Sequence, residues 1–268
     1  MSEDPSVSIA RASKEDDPLF VDALARGLAV LRCFTRQAPE LGTAEIAKMI
    51  DLPQPTVWRL CHTLRQLGYL TQARSGKKLR LGVPVLGLGY SVLAGLDIAA
   101  LSQPYMQELA ERFQESISLA ALDRLEVIFV QRCEVPSFMY AGAQAGSRSP
   151  ITRAPAGWAL LAGMTVEDRE KVTAEIRATD PTGWVNMAGH VEAAIRQYAE
   201  VGFVTNFGKV QSEFHAVSVP IRSPDNKPVY ALTCVGLRSR LPYSKVHEIG
   251  VVLTQVADSL SMGLRRAG

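Results

Sequence analysis

Leu52-Pro-Gln-Pro-Thr-Val-Trp-Arg-Leu-Cys-His-Thr-Leu-Arg-Gln-Leu-Gly68 is the stretch that decides how this chain reads. Val57, Leu60, Cys61, Leu64 and Leu67 recur at three-and-four spacing, which predicts a helix with one buried stripe. At about 100° per residue, Arg59, His62 and Thr63 fall opposite that stripe, with Thr56 and Trp58 on its flanks. Pro53 and Pro55 suit the first turn, whose N–H groups have no intrahelical partner. Gly68 suits the end, where a left-handed residue stops a helix. Such a helix is either an ordinary core helix or one laid into a DNA groove, and its neighbours choose between the two.

Upstream, Leu24, Ala25, Leu28, Ala29, Leu31 and Cys33 predict a helix from Asp22 to Thr35. Thr43 is a candidate N-cap for a short helix to Ile50, and Glu45 favours its positive end. Asp51-Leu52-Pro53 then turns into the quoted helix, which is a helix-turn-helix order. Downstream, Tyr69–Ala73 and Leu79–Gly82 read as short strands around a basic, Gly-containing turn. A basic hairpin directly after a helix-turn-helix is a wing. Its Arg74, Lys77 and Lys78 would reach phosphates or the minor groove, and otherwise serve to solubilise the turn.

Charge supports the groove reading. Residues 22–82 hold ten Lys/Arg against four Asp/Glu, whereas residues 83–268 hold seventeen against eighteen. A basic segment on a near-neutral body is suited to a polyanion. With 47% hydrophobic residues the chain can bury a sizeable core, yet no apolar run reaches the roughly 18 residues that span a bilayer. The N-terminus lacks a basic region followed by an apolar one, so no signal peptide is expected. Cys33, Cys61, Cys133 and Cys234 show no zinc spacing and read as reduced, structural thiols of a cytoplasmic protein. No metal and no cofactor is expected. The chain lacks a nucleophile elbow, a P-loop, a dinucleotide fingerprint and a carboxylate–histidine zinc arrangement, which argues against an enzyme.

Four segments follow. Residues 1–20 are polar and aperiodic, a disordered arm. Residues 21–82 form the winged helix-turn-helix. Residues 83–101, apolar and Gly-containing, read as a linker helix packed against a partner chain. Residues 102–268 mix strands and helices, with Pro104 starting a helix. Strands are expected at Ser118–Leu122, Glu126–Arg132, Phe138–Ala141, Phe214–Ile221 and Val229–Leu237. Helices are expected at Ala156–Ala162, from Thr165 with Asp168 to Arg177, at Val191–Tyr198 and at Val246–Leu264. This is an α+β domain, read as a sheet with helices on one side.

From Ala23 to Leu264 the chain resembles the IclR family of bacterial transcriptional regulators. The matching pieces are Arg26-Gly-Leu-Ala-Val-Leu31, Glu45-Ile-Ala47, Leu52-Pro with Thr56-Val and Arg59-Leu60, Leu67-Gly-Tyr-Leu70 and Leu79-Arg-Leu-Gly82. Gly146-Ser-Arg-Ser-Pro150, Ala156-Gly157, Ala159-Leu-Leu-Ala162 and Ala216-Val-Ser-Val-Pro-Ile221 continue the match. The resemblance implies a C-terminal GAF-like effector-binding domain and a homo-dimer or homo-tetramer. It also implies double-stranded DNA as partner, read as an inverted repeat by two recognition helices about 34 Å apart. RNA polymerase would be a further partner of an activator. The implied effector is a small organic acid, and no membrane contact is implied.

Thr56, Arg59 and His62, then Gln54, Trp58 and Thr63, are the candidate base and phosphate contacts, with Arg26, Thr43, Arg74, Lys77 and Lys78 on the backbone. Pro55 and Trp58 depart from the family, which favours Ser and a polar residue there. Trp58 would touch a thymine methyl or pack on the wing. The family's pocket maps onto Pro155, Ala156, Asn206, Ala216, Thr233 and Val235. These are more apolar than in relatives that bind small keto acids, so an aromatic carboxylate is expected. Asn206 and Thr233 are candidate donors to the acid, with Arg132, Arg148 and His215 as further candidates. Arg148 also reads as holding its loop, and His215 alternates away from Ala216 as a structural or surface side chain. The alternatives are a ligand-independent architectural DNA-binding protein and an enzyme in the C-terminal half.

Overall fold

The computed structural model describes residues 18–35, 37–74, 76–94, 97–135 and 144–267. The strand expected at Phe138–Ala141 lies outside the described residues, as do residues 1–17 of the expected arm. The chain divides into two compact units after Ala94.

The first unit comprises α1 (Asp22–Arg32), α2 (Thr43–Met49), α3 (Gln54–Gln66), the hairpin β1 (Leu70–Gln72) and β2 (Leu79–Leu81), and α4 (Pro84–Ala94). Its core joins Val30 and Cys33 of the α1 end, Ile46 of α2, Val57 and Cys61 of α3, and Leu70 and Leu79 of the hairpin. Leu60 and Leu64 pack against it in part. Leu67 does not: it caps α3 and is 61% exposed, because the last turn runs past the core before Gly68 (φ 79°) reverses the chain. Leu41 exchanges both backbone hydrogen bonds with Leu79, at 3.0 and 2.8 Å, and so adds a third short partner to the wing. Cys33 and Cys61 are buried reduced thiols, and burial pushes both up to about 11, leaving almost no reactive thiolate.

The second unit is a six-stranded antiparallel sheet in the order β5-β4-β3-β8-β7-β6. The strands are β3 (Ser116–Asp123), β4 (Glu126–Cys133), β5 (Arg148–Pro150), β6 (Val204–Phe207), β7 (Phe214–Arg222) and β8 (Pro228–Leu237). The expectation of helices on one side is corrected, since both faces are covered. α5 (Asp97–Phe113) and α9 (Tyr243–Ala267) pack on Ile117, Leu119, Val217, Val219 and Leu232. α6 (Pro155–Gly163), α7 (Val166–Thr179) and α8 (Pro181–Val201) pack with Ala120, Phe129, Val204 and Ala231. The physical reason is visible in β3, β7 and β8, whose consecutive residues are buried rather than alternating.

Three element boundaries also differ. Pro104 does not start a helix but sits inside α5, which begins at Asp97. The expected 83–101 linker is therefore divided between α4 and α5, with residues 95–96 outside the description. α8 begins ten residues before Val191, because Asp180 accepts the Gly183 N–H at 2.9 Å and Pro181 occupies the first helical position.

Glu115 lies where α5 meets β3, fully buried, with Arg240 Nε at 3.6 Å and Lys245 Nζ at 3.8 Å. Burial outweighs these cations and raises its carboxyl above the ordinary 4.5. A buried acid raised in this way adds stability while protonated and loses it as pH climbs through the folded value. Thermal melts of wild type and Glu115→Gln between about pH 4 and 7 should show wild type losing ground to the variant as pH rises. A constant difference across that range would contradict this account of Glu115.

Candidate functional site

Two surfaces carry the candidate residues, one in each unit. In the first, α3 leaves Gln54, Trp58, Arg59, His62 and Thr63 exposed, with Thr56 half-buried in its first turn. Trp58 is an exposed side chain of α3. Its ring stacks on His62, with centroids 5.4 Å apart and planes 16° from parallel, and it stays 59% exposed. The pair is an i, i+4 neighbour pair that presents a flat apolar plate beside Arg59. Thr63 donates its hydroxyl to the Arg59 carbonyl at 3.1 Å.

Two expected backbone-contact residues, Arg26 and Lys78, have other partners, and Thr43 is not the cap it was expected to be. Arg26 pairs with Asp22 at 3.5 Å within α1. Thr43 is the first residue of α2 and not its N-cap, which is Gly42. Glu45 reaches back to the Gly42 N–H at 2.6 Å and also accepts from Lys78 at 3.1 Å. The Gly42 bond, then Lys78, hold that carboxyl below its usual range. Lys78 therefore ties the wing to α2. Arg74 and Lys77 are exposed at the hairpin turn with no ion pair among the described residues. Arg80, exposed on β2, joins them. It is legible only once Leu79 is known to point inward, because neighbouring strand residues face opposite ways.

In the second unit, Pro155, Ala156, Asn206, Ala216, Thr233 and Val235 come together around one cavity of about 150 Å³, together with Arg148. Strand register accounts for this. Asn206, Ala216 and Val235 are opposite one another on β6, β7 and β8, and Ser118, Thr233 and Ser218 form the next row on β3, β8 and β7. Asn206 accepts the Lys209 N–H at 2.8 Å, which turns its amide NH₂ outward as a donor. Arg148 donates to Glu126 at 2.7 Å and pairs with Asp123, so it fastens the edge of the sheet.

Two expected residues lie elsewhere. Arg132 does not line the cavity; its Nε donates to Ser116 at 2.9 Å and its guanidinium pairs with Glu134. His215 is buried on the opposite face of β7, where Nδ1 donates to the Leu241 carbonyl at 2.8 Å and Phe207 packs edge-on at 5.0 Å. It is structural and not a surface side chain.

Ser118, Phe129, Arg153 and Phe214 also line the cavity and were missed. Arg153 ends a one-turn 3-10 helix, Ile151–Arg153, just before α6 begins. A cation two residues ahead of a helix-starting proline was a usable signal, because the first-turn N–H groups of that helix favour an anion beside it. Ser118 needed the register. Among the described residues no Asp or Glu lines the cavity. Among the described residues no group of three or more His, Cys, Asp or Glu could hold a metal. No described helix is long and apolar enough to cross a membrane.

Residues 23–74 match the IclR helix-turn-helix domain, and residues 90–262 match the family model for the bacterial transcriptional regulator IclR C-terminal domain. The chain belongs to the IclR family of transcriptional regulators. This regulator is 29% identical to HTH-type transcriptional regulator TsaQ1/TsaQ2 of Comamonas testosteroni, over 92% of the chain and 90% of the relative. It is 28% identical to the Pca regulon regulatory protein of Pseudomonas putida, over 68% and 69%. An IclR-family regulator of Brucella abortus superposes with a TM-score of 0.84 at 34% identity, over 94% and 95%. An IclR homolog of Microbacterium hydrocarbonoxydans, complexed with 4-hydroxybenzoate, gives a TM-score of 0.69 at 25% identity, over 91% and 99%.

Gly157 lets the 3-10 turn of this regulator lie against α6. A Cβ there would fall 2.0 Å from the Ile151 carbonyl oxygen. Gly157→Ala should therefore push the 3-10 turn away from α6 and cost about 1–3 kcal/mol. The check is a thermal melt, in which an unchanged midpoint would show that the turn gives way freely.

Proposed function

We propose that this regulator binds a single-ring aromatic carboxylate in the second unit and that the bound acid controls its hold on an inverted-repeat operator. The observation that carries the reading is the lining of the cavity. It has Arg153, which makes no ion pair among the described residues, the N-terminal end of α6 and, among the described residues, no carboxylate, against walls of Phe129, Val210, Phe214, Ala216 and Val235. Positive groups without a competing acid favour an anion, and the apolar walls favour a hydrophobic body. About 150 Å³ is the size of cavity that accepts one benzene ring. A two- or three-carbon acid would leave most of the apolar wall without contact. The Microbacterium homolog complexed with 4-hydroxybenzoate supports the same class.

On the DNA side, α3 enters the major groove with Arg59, His62 and Thr63 toward base edges, supported by Gln54 and Thr56. Trp58 lies over a thymine methyl or sugar edge, and Arg74 and Lys77 contact phosphates. Two copies associate through the apolar side chains that α1, the residue before α4 and α4 itself leave in solvent: Leu24, Leu28, Val83, Leu86 and Leu88. The protein then acts as a cytoplasmic dimer or tetramer, and contacts RNA polymerase where it activates.

Isothermal titration of the full chain should show binding of benzoate and weak or no binding of pyruvate and glyoxylate. Tight binding of the short acids with none of benzoate would overturn the effector reading. Arg59→Ala should abolish specific operator binding while leaving acid binding intact. Lys77→Ala should weaken all DNA sequences alike and lower the salt slope by about one. An Arg59→Ala protein that keeps its operator affinity would remove α3 from the groove.

A further inference from the structure

We propose that the second unit holds a further ligand site, for a small hydroxy acid, on the face of the sheet opposite the cavity assigned to the aromatic acid. Arg238 and the start of α9 take its carboxylate, and Nε2 of His215 accepts from its hydroxyl. The site goes beyond the aromatic-acid reading and does not depend on it.

The site is a cleft of about 220 Å³ lined by Phe207, Gly208, Ser212, His215, Arg238 and Tyr243. It shares no lining residue with the first cavity. Strand alternation keeps the two apart. Asn206 and Ala216 turn toward the first cavity, so Phe207 and His215, the next pair in register on β6 and β7, turn the other way.

His215 supplies the demand for a donor. It is 6% exposed, and its structural hydrogen bond uses only one of its two nitrogens. The Leu241 carbonyl can only accept, so Nδ1 carries the proton of the neutral ring. Nε2 is left with its lone pair. It makes no hydrogen bond among the described residues and is not sealed from solvent, so it opens on the cleft that the ring lines. A ligand hydroxyl satisfies it.

The cations supply the demand for an anion. Arg238 is exposed, and its guanidinium makes no ion pair or hydrogen bond among the described residues. Tyr243 is the first residue of α9, a helix of 25 residues with no acid in its first turn, so the positive end of that helix lies at the cleft. Among the described residues no Asp or Glu lines the cleft. A carboxylate is therefore favoured beside the donor and an ammonium is disfavoured, which selects a hydroxy acid over an amino acid. Phe207 stacks on Tyr243 with centroids 3.9 Å apart and meets His215 edge-on at 5.0 Å. Those rings give a carbon skeleton an apolar wall, which inorganic phosphate would leave uncovered.

The test is an NMR titration of the full chain, with ¹³C in its four histidine rings, against lactate, propionate, alanine, lactamide and inorganic phosphate. The first four share one carbon skeleton and differ in the hydroxyl, the ammonium or the carboxylate. Lactate should shift the His215 signal, identified as the one missing from His215→Asn, and bind about 10-fold tighter than each of the other compounds. His215→Asn keeps an amide N–H where Nδ1 stood and removes Nε2, so it should bring the lactate-to-propionate ratio close to one. Arg238→Met should lower the preference for lactate over lactamide by about 10-fold. Saturating benzoate should leave the lactate-induced shift in place. If His215→Asn fails to fold, replacing the other three histidines, none of them buried, identifies the signal by elimination, and the wild-type series with Arg238→Met decides. The proposal is overturned by an unmoved His215 signal, by equal binding of lactate and propionate, or by tighter binding of alanine or phosphate. It is also overturned by an unchanged lactate-to-lactamide ratio in Arg238→Met, or by loss of the shift to benzoate, which would place lactate in the first cavity. The aromatic-acid reading stands or falls separately, on benzoate binding itself.

Discussion

Trp158 donates its indole N–H to the Thr152 carbonyl at 2.6 Å from a fully buried position. One residue earlier, Gly157 lets the Ile151 carbonyl approach to a distance no side chain would allow. These two contacts bind the 3-10 turn to α6 as one piece. Everything the second unit offers a ligand follows from that joint. It sets the direction of the α6 N-terminus, the placing of Pro155 and Ala156, and the position of Arg153 on the cavity lining. The joint itself is held by the Ala159, Leu160 and Leu161 stretch of α6, which is buried against β7 and β8 and cannot shift without opening the core.

The distribution of arginines shows how a cavity acquires a specific charge. Three arginines lie on the strands and turns near it. Arg132 pairs with Glu134 just past the end of β4, and Arg148 of β5 pairs with Asp123 and Glu126, which flank the β3–β4 turn. Arg153 is on a turn with no acid within reach among the described residues. A site for an acid needs one uncommitted cation more than it needs many cations. A paired arginine has already exchanged its water for a carboxylate and gains little from a second.

The first unit solves a related problem. Glu45 caps α2 through Gly42 and grips Lys78, so one carboxylate sets both the start of a helix and the position of the wing. The pair leaves Arg74, Lys77 and Arg80 as the exposed cations of the hairpin. Trp58 and His62 form a stacked pair on the exposed face of α3.

What the sequence alone determined was local. Helix periodicity, the prolines before α3, Gly68 after it and the basic hairpin define a winged helix-turn-helix, because each depends on residues within a few positions of one another. The pocket positions Pro155, Ala156, Asn206, Ala216, Thr233 and Val235 were legible through family resemblance. The tertiary structure decided the rest. It covered both faces of the sheet, carried α5 through Pro104, took Arg26 and Lys78 away from the exposed cations, and turned His215 to the far side of β7. It also aligned Ser118 with Thr233 and Ser218. Those outcomes depend on strand register and on which long side chains find acids across the fold, and neither is encoded in the spacing of residues along the chain.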